Sequence, residues 1–451
     1  MPTTIAPDSA SPMNADRPAR GAWVALALLF SINLFNYVDR QVLAAVEPHI
    51  EAEFHRTKAS MGLLATAFLL SYMLISPIFG RLADRMSRWL LVAIGVVLWS
   101  VASGGSGLAQ TFVILLITRC FVGVGEAAYG PVAPTILSDL YPVSVRGKVM
   151  AAFYVAMPVG GALGYVLGGQ IGGKVGRRIH GIDSWRVAFF AVVIPGIALG
   201  VWSLFMKDPR GRFASLRPAR TIAGIGTGDP IADAPAGPPR DVWRDYATIL
   251  ANRSYLYDTL GMTAMTFAIG GIAYWMPNYI AQYRRYSDLG HVNYIFGVLI
   301  VIAGLLATIL GGIAGDALRA KFSGSYFLVS AAGLLCGFPF FVAMLYTPFP
   351  TAWVFVFLSV FCLFFNTGPS NTILANVTHP SIRASAFALN IFIIHAFGDA
   401  ISPYAIGLLS DHYSMNIAFL FVSVMMVVGG LFWLAGARHL QRDTEAASLT
   451  P

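Results

Sequence analysis

Six ionisable residues stand where a chain this apolar should not have them. Asp39, Arg40, Arg119, Glu126, His395 and Asp399 all fall inside long apolar runs. A charge at bilayer depth costs a few kcal/mol and survives where it lines a protein cavity or finds a partner. Arg119 and Glu126 lie seven residues apart in one run, Phe112 to Leu137. That is close to two helical turns, so both fall on one face, roughly 10 Å apart along the axis. Gly123 and Gly125 between them admit a close neighbouring helix. Such a pair either locks helices together or works on a solute. The chemistry on offer is proton exchange and anion binding. Desolvation favours a neutral carboxylate while a nearby cation favours the ionised one. That competition makes Glu126 the first candidate proton carrier and Asp39 the second. Arg40 and Arg119 stay charged and suit two-pronged binding of an anion.

The elements that position these residues are membrane spans. Hydrophobic residues make up 57% of 451 and charged residues 12%, about half the charged share of a soluble domain. Apolar runs of crossing length begin near Trp23, Met61, Trp89, Phe112, Val149 and Trp185, then near Tyr255, Val292, Ser325, Trp353, Ser385 and Met415. An all-α membrane protein of twelve spans follows. Its expected divisions are a tail (1–20), a six-helix bundle (21–206), a Pro-, Gly- and Arg-rich linker (207–244), a second six-helix bundle (245–437) and a tail (438–451). With the first residue inside, the inner side carries twenty Lys and Arg and the outer side eight. Both termini are therefore expected in the cytoplasm, with the plasma membrane as the location if the chain is bacterial. The N-terminal stretch lacks the pattern of a cleaved signal peptide. The net charge of +8 is scattered over short loops, which argues against a nucleic-acid partner.

The halves repeat. Pro134-Thr-Ile-Leu-Ser-Asp-Leu-Tyr-Pro-Val-Ser-Val-Arg146 aligns without gaps on Asn371-Thr-Ile-Leu-Ala-Asn-Val-Thr-His-Pro-Ser-Ile-Arg383, and Gly80-Arg-Leu-Ala-Asp84 answers Gly312-Ile-Ala-Gly-Asp316. Duplicated bundles place a substrate between them near the midplane. Depth along the helices, taking span 1 to end near Val46, predicts that Asp39 pairs with Arg119 and that Arg40 reaches toward Glu126. The second half offers His395 and Asp399, one turn apart, as a second proton or substrate site or as a hydrogen bond that supports the contact between halves. Asp258 reads as a solvated helix end. Asn366 and Thr367, with Asn371, either add polar contacts or serve packing. A charged wall facing an aromatic one (Tyr274, Trp275, Phe361, Phe364, Phe365) suits an amphiphile. At the inner end Asp84, Arg85 and Arg88 act as a gate latch, with Arg146 as a partner and Asp316 as the repeat's counterpart, or they anchor the loop. Pro403 is expected to kink span 11.

The loop Gly80-Arg-Leu-Ala-Asp84-Arg85-Met-Ser-Arg88 resembles the signature of major facilitator superfamily transporters. Within that superfamily the chain is similar to the Spinster-like lipid transporters over nearly its whole length. The motifs are Asn36-Tyr37-Val38-Asp39-Arg40, Gly62-Leu-Leu-Ala-Thr66 with Ser71-Tyr72-Met73, Val122-Gly-Val-Gly-Glu126-Ala-Ala-Tyr129 with Ala133-Pro-Thr135, Phe153-Tyr154 with Met157-Pro158-Val-Gly160, and His395-Ala-Phe-Gly398-Asp399-Ala-Ile-Ser402-Pro403. The resemblance implies two pseudo-symmetric six-helix bundles, alternating access, and a lysophospholipid or sphingosine-1-phosphate-like substrate moved with protons. Arg40 and Arg119 would bind it with Tyr37, Tyr129, Tyr274, Trp275, Phe361, Asn366 and Thr367. Organic-anion symporters share the Asn-Tyr-x-Asp-Arg helix, so a small-anion symporter remains an alternative, as does a ligand-binding sensor without transport. No hydrolase or ATPase motif occurs, so an enzyme is not expected. The three cysteines suggest neither a disulfide nor a metal site, and no cofactor is expected. The expected partners are the anionic lipid-like substrate, protons and membrane lipids, with the protein as a monomer.

Overall fold

The computed structural model describes residues 18–173, 177–208, 242–319, 321–379 and 382–449. Most of the expected linker, and the first seventeen residues, lie outside these. The protein is an all-α membrane protein of twelve spans in two six-helix bundles. Among the described residues, ten helices are long and apolar enough to cross a membrane. Span 4 and span 7 complete the set. Span 4 is divided into Phe112–Ala127 and Ala133–Leu140, and span 7 (Arg253–Asn278) ends in a π turn, Tyr279–Tyr283.

Threonine, asparagine and serine start several spans by accepting a backbone N–H two or three residues on. Thr57 does so for span 2 (Lys58–Arg85), Thr111 for span 4, Asn252 for span 7 and Ser414 for span 12 (Met415–Gly436). The described chain ends lie at the same end of the molecule, called here the terminal end. Ala19 N–H bonds to the Leu140 carbonyl there, and Ser254 N–H bonds to Asp443.

Span 1 (Ala22–Phe54) corrects one expectation. It continues eight residues beyond Val46 through Pro48, and carries Glu47 and His49 in buried positions. A proline removes one donor and crowds one carbonyl, but leaves the rest of the ladder standing.

The breaks in the helices follow the internal repeat. Ala128 and Tyr129, where span 4 breaks, align with Phe365 and Asn366, where span 10 divides into Ala352–Phe364 and Thr367–Val377. Pro131 and Pro134 sit at the first break and Pro369 just beyond the second. Span 11 runs as Arg383–Ile394, a π turn His395–Asp399, and Ser402–His412. Pro403 begins the last piece, so the expected kink is a break preceded by a π turn.

The bundles meet at the end opposite the termini, the distal end. One apolar cluster runs across both bundles there, joining Val42 and Met61 to Trp275 and Phe296. A second, with Trp89, Trp99 and Ile136, stays within the first bundle at the terminal end. Thr66 Oγ1 donates to the Ala400 carbonyl at 2.6 Å, Tyr274 OH to Met61 at 2.6 Å, and Asn293 Nδ2 to Ala45 at 3.2 Å. Gly62 of span 2 lies against the Pro403 backbone of span 11, with no room for a side chain. Toward the terminal end span 2 becomes exposed at Leu70 and Leu74 and span 11 at Phe392.

Within the first bundle, span 4 depends on its glycines. A Cβ on Gly125 would meet the Trp99 backbone nitrogen of span 3 (Arg88–Leu108) at 2.6 Å. Backbone cannot move aside as a side-chain tip can. Gly125→Val should therefore destabilise the bundle by about 1–3 kcal/mol, the usual cost of overpacking. Thermal unfolding in micelles, compared with Gly80→Ala, which meets open space, checks this.

Candidate functional site

Span 1 supplies Asp39 and Arg40, neighbours that point to two different partners. Arg40 Nη2 lies 2.6 Å from Glu126 Oε2, and its Nε donates to the same oxygen at 2.8 Å. Glu126 is the penultimate residue of the first half of span 4, and its carbonyl accepts the N–H groups of Tyr129 and Gly130 as the helix breaks. Arg119 Nη1 faces Asp39 Oδ2 at 3.8 Å, and Asp39 also accepts from Ser103 Oγ of span 3. Both pairings expected from depth are present. The overlong span 1 did not upset them.

The two pairs differ in exposure. The Asp39 and Arg119 side chains are 2% and 1% exposed, whereas Arg40 is 22% exposed against 0% for Glu126. Arg40 is therefore the charge that reaches open space. Its guanidinium carbon lies 4.9 Å from the Tyr37 ring, 5.0 Å from Phe68 and 5.4 Å from Tyr72. Phe68 also lies 5.8 Å from the Arg119 guanidinium, so one ring touches both cations. Aromatic faces stabilise a cation without neutralising it. Phe68 and Tyr72 are absent from the sequence-based set, because an aromatic residue in an apolar span carries no signal of direction. Among the described residues, Glu126 Oε1 in one pair and Asp39 Oδ2, Arg119 Nε and Arg119 Nη1 in the other have no hydrogen-bond partner. The site is thus incompletely satisfied, which suits a place that exchanges partners.

A family model described as Major Facilitator Superfamily matches residues 29–403. The chain is 31% identical over 98% of its length to protein spinster homolog 3 of Danio rerio, covering 90% of that protein. It is 32% identical over 96% of its length to protein spinster homolog 1 of Homo sapiens, covering 83%. This chain belongs to the spinster family of the major facilitator superfamily. It is a transporter of that family and not an enzyme. Among solved structures it resembles a bacterial homolog of the human lysosomal transporter Spinster in an inward-facing, unoccupied conformation, with a TM-score of 0.80 at 21% identity over 94% of this chain and 98% of that one. A D-xylose-proton symporter matches at a TM-score of 0.68 and 16% identity, over 91% and 96% of the two chains. These two likenesses concern the fold alone.

Several expected members of the spinster site are placed elsewhere. Tyr129 is buried and donates to the Leu29 carbonyl at 2.7 Å, so it ties span 4 to span 1. Tyr274 and Trp275 are buried at the distal closure, where Trp275 Nε1 donates to Pro403 at 2.9 Å. Phe364 and Phe365 pack on span 8 (Leu289–Arg319) at Gly304 and Gly311, and Phe361 stacks on Phe357 and Phe365. Of the expected aromatic wall, Tyr274 and Trp275 are interior packing, and Phe361, Phe364 and Phe365 are half-buried. The rings that flank the charge belong to the first bundle. Asn366 Nδ2 and Thr367 Oγ1 bond to the Leu363 and Phe364 carbonyls that the break in span 10 leaves free. His395 Nδ1 lies 2.9 Å from Asp399 Oδ1 across the π turn, and Gly270 of span 7 packs on Asp399.

At the terminal end Arg88 bonds Asp139 at 2.7 Å, Thr135 at 3.2 Å and Asp208 at 3.2 Å, tying span 3 to the second half of span 4. Arg146 donates to the Ser138 carbonyl at 2.7 Å. Asp316 accepts from Tyr326 at 2.8 Å, inside the second bundle. Arg85 is exposed, and the Asp84 side chain lies outside what is described. Asp258 contradicts the solvated reading. It is 0% exposed and accepts from Trp433 Nε1 at 3.0 Å.

Asp39 is the anion that faces Arg119. Asp39→Ala should lower the unfolding free energy by about 3–5 kcal/mol, the cost of stranding a buried charge. Asp39→Leu combined with Arg119→Met should cost much less. A double-mutant cycle by denaturant unfolding in micelles measures the difference.

Proposed function

We propose that this spinster-family protein is a proton-coupled secondary transporter of an anionic amphiphile, a lysophospholipid or sphingosine-1-phosphate-like lipid, working by alternating access. The observation that carries the reading is Arg40, part-exposed, held by a fully buried carboxylate and ringed by Tyr37, Phe68 and Tyr72. An anionic headgroup that takes two nitrogens of Arg40 displaces Glu126. The displaced carboxylate then sits buried without its cation, and a proton on it relieves the cost. Headgroup and proton thereby become linked through one guanidinium. The exposed apolar sides of span 2 at Leu70 and Leu74 and of span 11 at Phe392 offer a surface for a tail. Asp39 and Arg119 support the site from behind, and His395 with Asp399 forms a second ionisable pair on the opposite bundle.

The finer arrangement belongs to the same proposal. Both termini face the cytoplasm, so the terminal end is the inner one, and the protein works as a monomer. Arg85, Arg88, Arg146 and Asp316 act at the inner end of their own bundles, with Asp84 beside them.

Uptake of labelled lysophospholipid into proteoliposomes, driven by a proton gradient, tests the reading. Wild-type protein should accumulate the lipid and prefer it to a sugar acid. Arg40→Ala should lower uptake by about tenfold or more, as expected when a hydrogen-bonded charge contact is lost. Glu126→Gln should retain counterflow but lose dependence on the gradient. Gradient-driven uptake of the sugar acid alone would favour the small-anion symporter. Binding without counterflow would favour a sensor.

A further inference from the structure

The terminal end of the second bundle carries a charge cluster that the transport reading does not use. Spans 7 and 12 run antiparallel there and are fastened to each other at successive levels. Gly429 of span 12 lies against the Gly261 carbonyl of span 7. Nearer the end, Trp433 Nε1 donates to Asp258 at 3.0 Å. His439 then stacks on Tyr257, with ring centroids 5.8 Å apart and planes 4° from parallel. Last, Asp443 on the helix Leu440–Leu449 accepts the Ser254 N–H at 2.9 Å. The chain on either side of this seam is thereby held in place before any ligand arrives, which lowers the cost of binding one.

Three guanidiniums stand over the seam. Arg253, Arg438 and Arg442 are exposed, Arg253 at the start of span 7 and the others just past span 12. All three converge on His439. Desolvation, followed by the charges of Arg253, Arg438 and Arg442, holds that imidazole below the usual histidine range, with Asp443 acting the other way. The acids nearby are committed. Asp443 is buried, caps span 7 and pairs with Arg442 at 3.2 Å, and Glu445 accepts from Gln441 at 3.1 Å. Arg438 reaches the Ala435 carbonyl at 3.4 Å, and Arg253 has no ion pair among the described residues. Like charges held together without counter-ions attract an anion.

Toward the membrane centre the same helix faces turn apolar. Leu256 follows Arg253 by one turn, and Leu434 and Leu431 precede Arg438 by one and two turns; all three leucines are exposed. Residues three, four and seven apart share a helix face. A phosphate with acyl chains attached meets both parts, since a guanidinium can take two of its oxygens. Any lipid can lay a chain along the leucines. The arginines select among lipids by head charge, because a zwitterionic headgroup brings its own cation.

We propose that the seam between spans 7 and 12 is a binding site for an anionic phospholipid of the leaflet at the terminal end. The phosphate sits between Arg253 and Arg438, an acyl chain lies along Leu256, Leu434 and Leu431, and Arg442 adds charge from the rim. The bound lipid braces the end of span 12 against the start of span 7. The inference needs neither Arg40 nor Glu126, and the lipid is a resident of this site rather than the transported species.

Native mass spectrometry of the full chain in micelles, offered equal amounts of dioleoyl phosphatidylglycerol and dioleoyl phosphatidylcholine, reads the selectivity. The wild type should retain phosphatidylglycerol in preference, and its thermal midpoint should rise with that lipid and not with phosphatidylcholine. Arg253→Gln and Arg438→Gln should each lower the preference by about fivefold, the usual share of one basic residue at an anionic membrane surface. Together they should remove most of it. Both positions are exposed, and an unchanged midpoint in phosphatidylcholine checks that the variants fold. Arg285→Gln, which neutralises an exposed cation at the distal end, should leave the preference intact. So should Arg40→Ala, which separates a lipid held here from one taken as substrate. Glycerol 3-phosphate at the same concentration should not reproduce the thermal shift. The site is overturned by a wild type without preference, by a preference that survives the double variant or disappears with Arg40→Ala alone, or by an equal shift from glycerol 3-phosphate.

Discussion

A charge buried in a medium of low dielectric must have a counter-charge, and in this protein that requirement sets the first bundle. Asp39 and Arg40 are adjacent on span 1, so one helical position after another turns toward two partners. Arg119 and Glu126 are two turns apart on span 4, so they meet those partners at different depths. If span 1 slid by one turn against span 4, both pairs would fail together. The register of the two helices is therefore fixed by charge, and the glycines of span 4 bring spans 2 and 3 in around it. Gly123 takes the Phe68 and Tyr72 backbone, which is how those two rings come to stand over Arg40.

Under the proposed function, the asymmetry between the pairs separates structure from transport. Asp39 and Arg119 are both sealed, so exchange there is costly and the pair holds helices. Arg40 keeps a fifth of its surface open while its partner keeps none. A soluble anion can approach the cation but not the carboxylate. The break in span 4 directly after Glu126 adds to this, because the chain around it no longer has a complete helical ladder to lose when the side chain moves. Irregular backbone at membrane depth is tolerated where protein surrounds it.

Depth was legible in the sequence, and azimuth was not. Counting residues from the ends of spans placed Asp39 against Arg119 and Arg40 against Glu126. The same counting could not tell which way Tyr274 or Trp275 turns, because from Phe267 to Pro277 span 7 is apolar apart from Tyr274 itself and no polar face marks a direction. Tyr274 turned to span 2 and Trp275 to span 11, and both closed the distal end instead of lining a cavity. Glu47 was lost for a related reason. The apolar run seemed to stop at Val46, whereas a carboxylate that finds Asn278 and Lys58 lets the helix continue past it. Asp258 was lost in the opposite sense, since an acidic residue near a span end looks solvated until Trp433 from the last span covers it. The repeat between the halves, by contrast, foretold more than a match of residues. It aligned the two breaks, in spans 4 and 10, that proline and local carbonyl capping then produced in each.

The two bundles solve the same packing problem with different materials. The first stabilises its broken helix with ion pairs, the second with side-chain amide and hydroxyl bonds from Asn366 and Thr367 to the nearby free carbonyls. Ion pairs can be rearranged by an anion or a proton; a local cap cannot be displaced without losing the helix end. Under the proposed function the exchange centres on Arg40 and Glu126 of the first bundle, while His395 and Asp399 form the ionisable pair of the second. Closure at the distal end follows the same division, because Glu47 and Lys58 contribute charge from the first bundle while Asn278 and Asp411 reach across from the second. Asp411 brings a charge to that contact from the second bundle and directs it to backbone N–H groups rather than to a basic side chain. A contact of that kind aligns the axis of span 2 as well as its end, and Thr66 and Gly62 continue the same seam toward Phe68 and Tyr72.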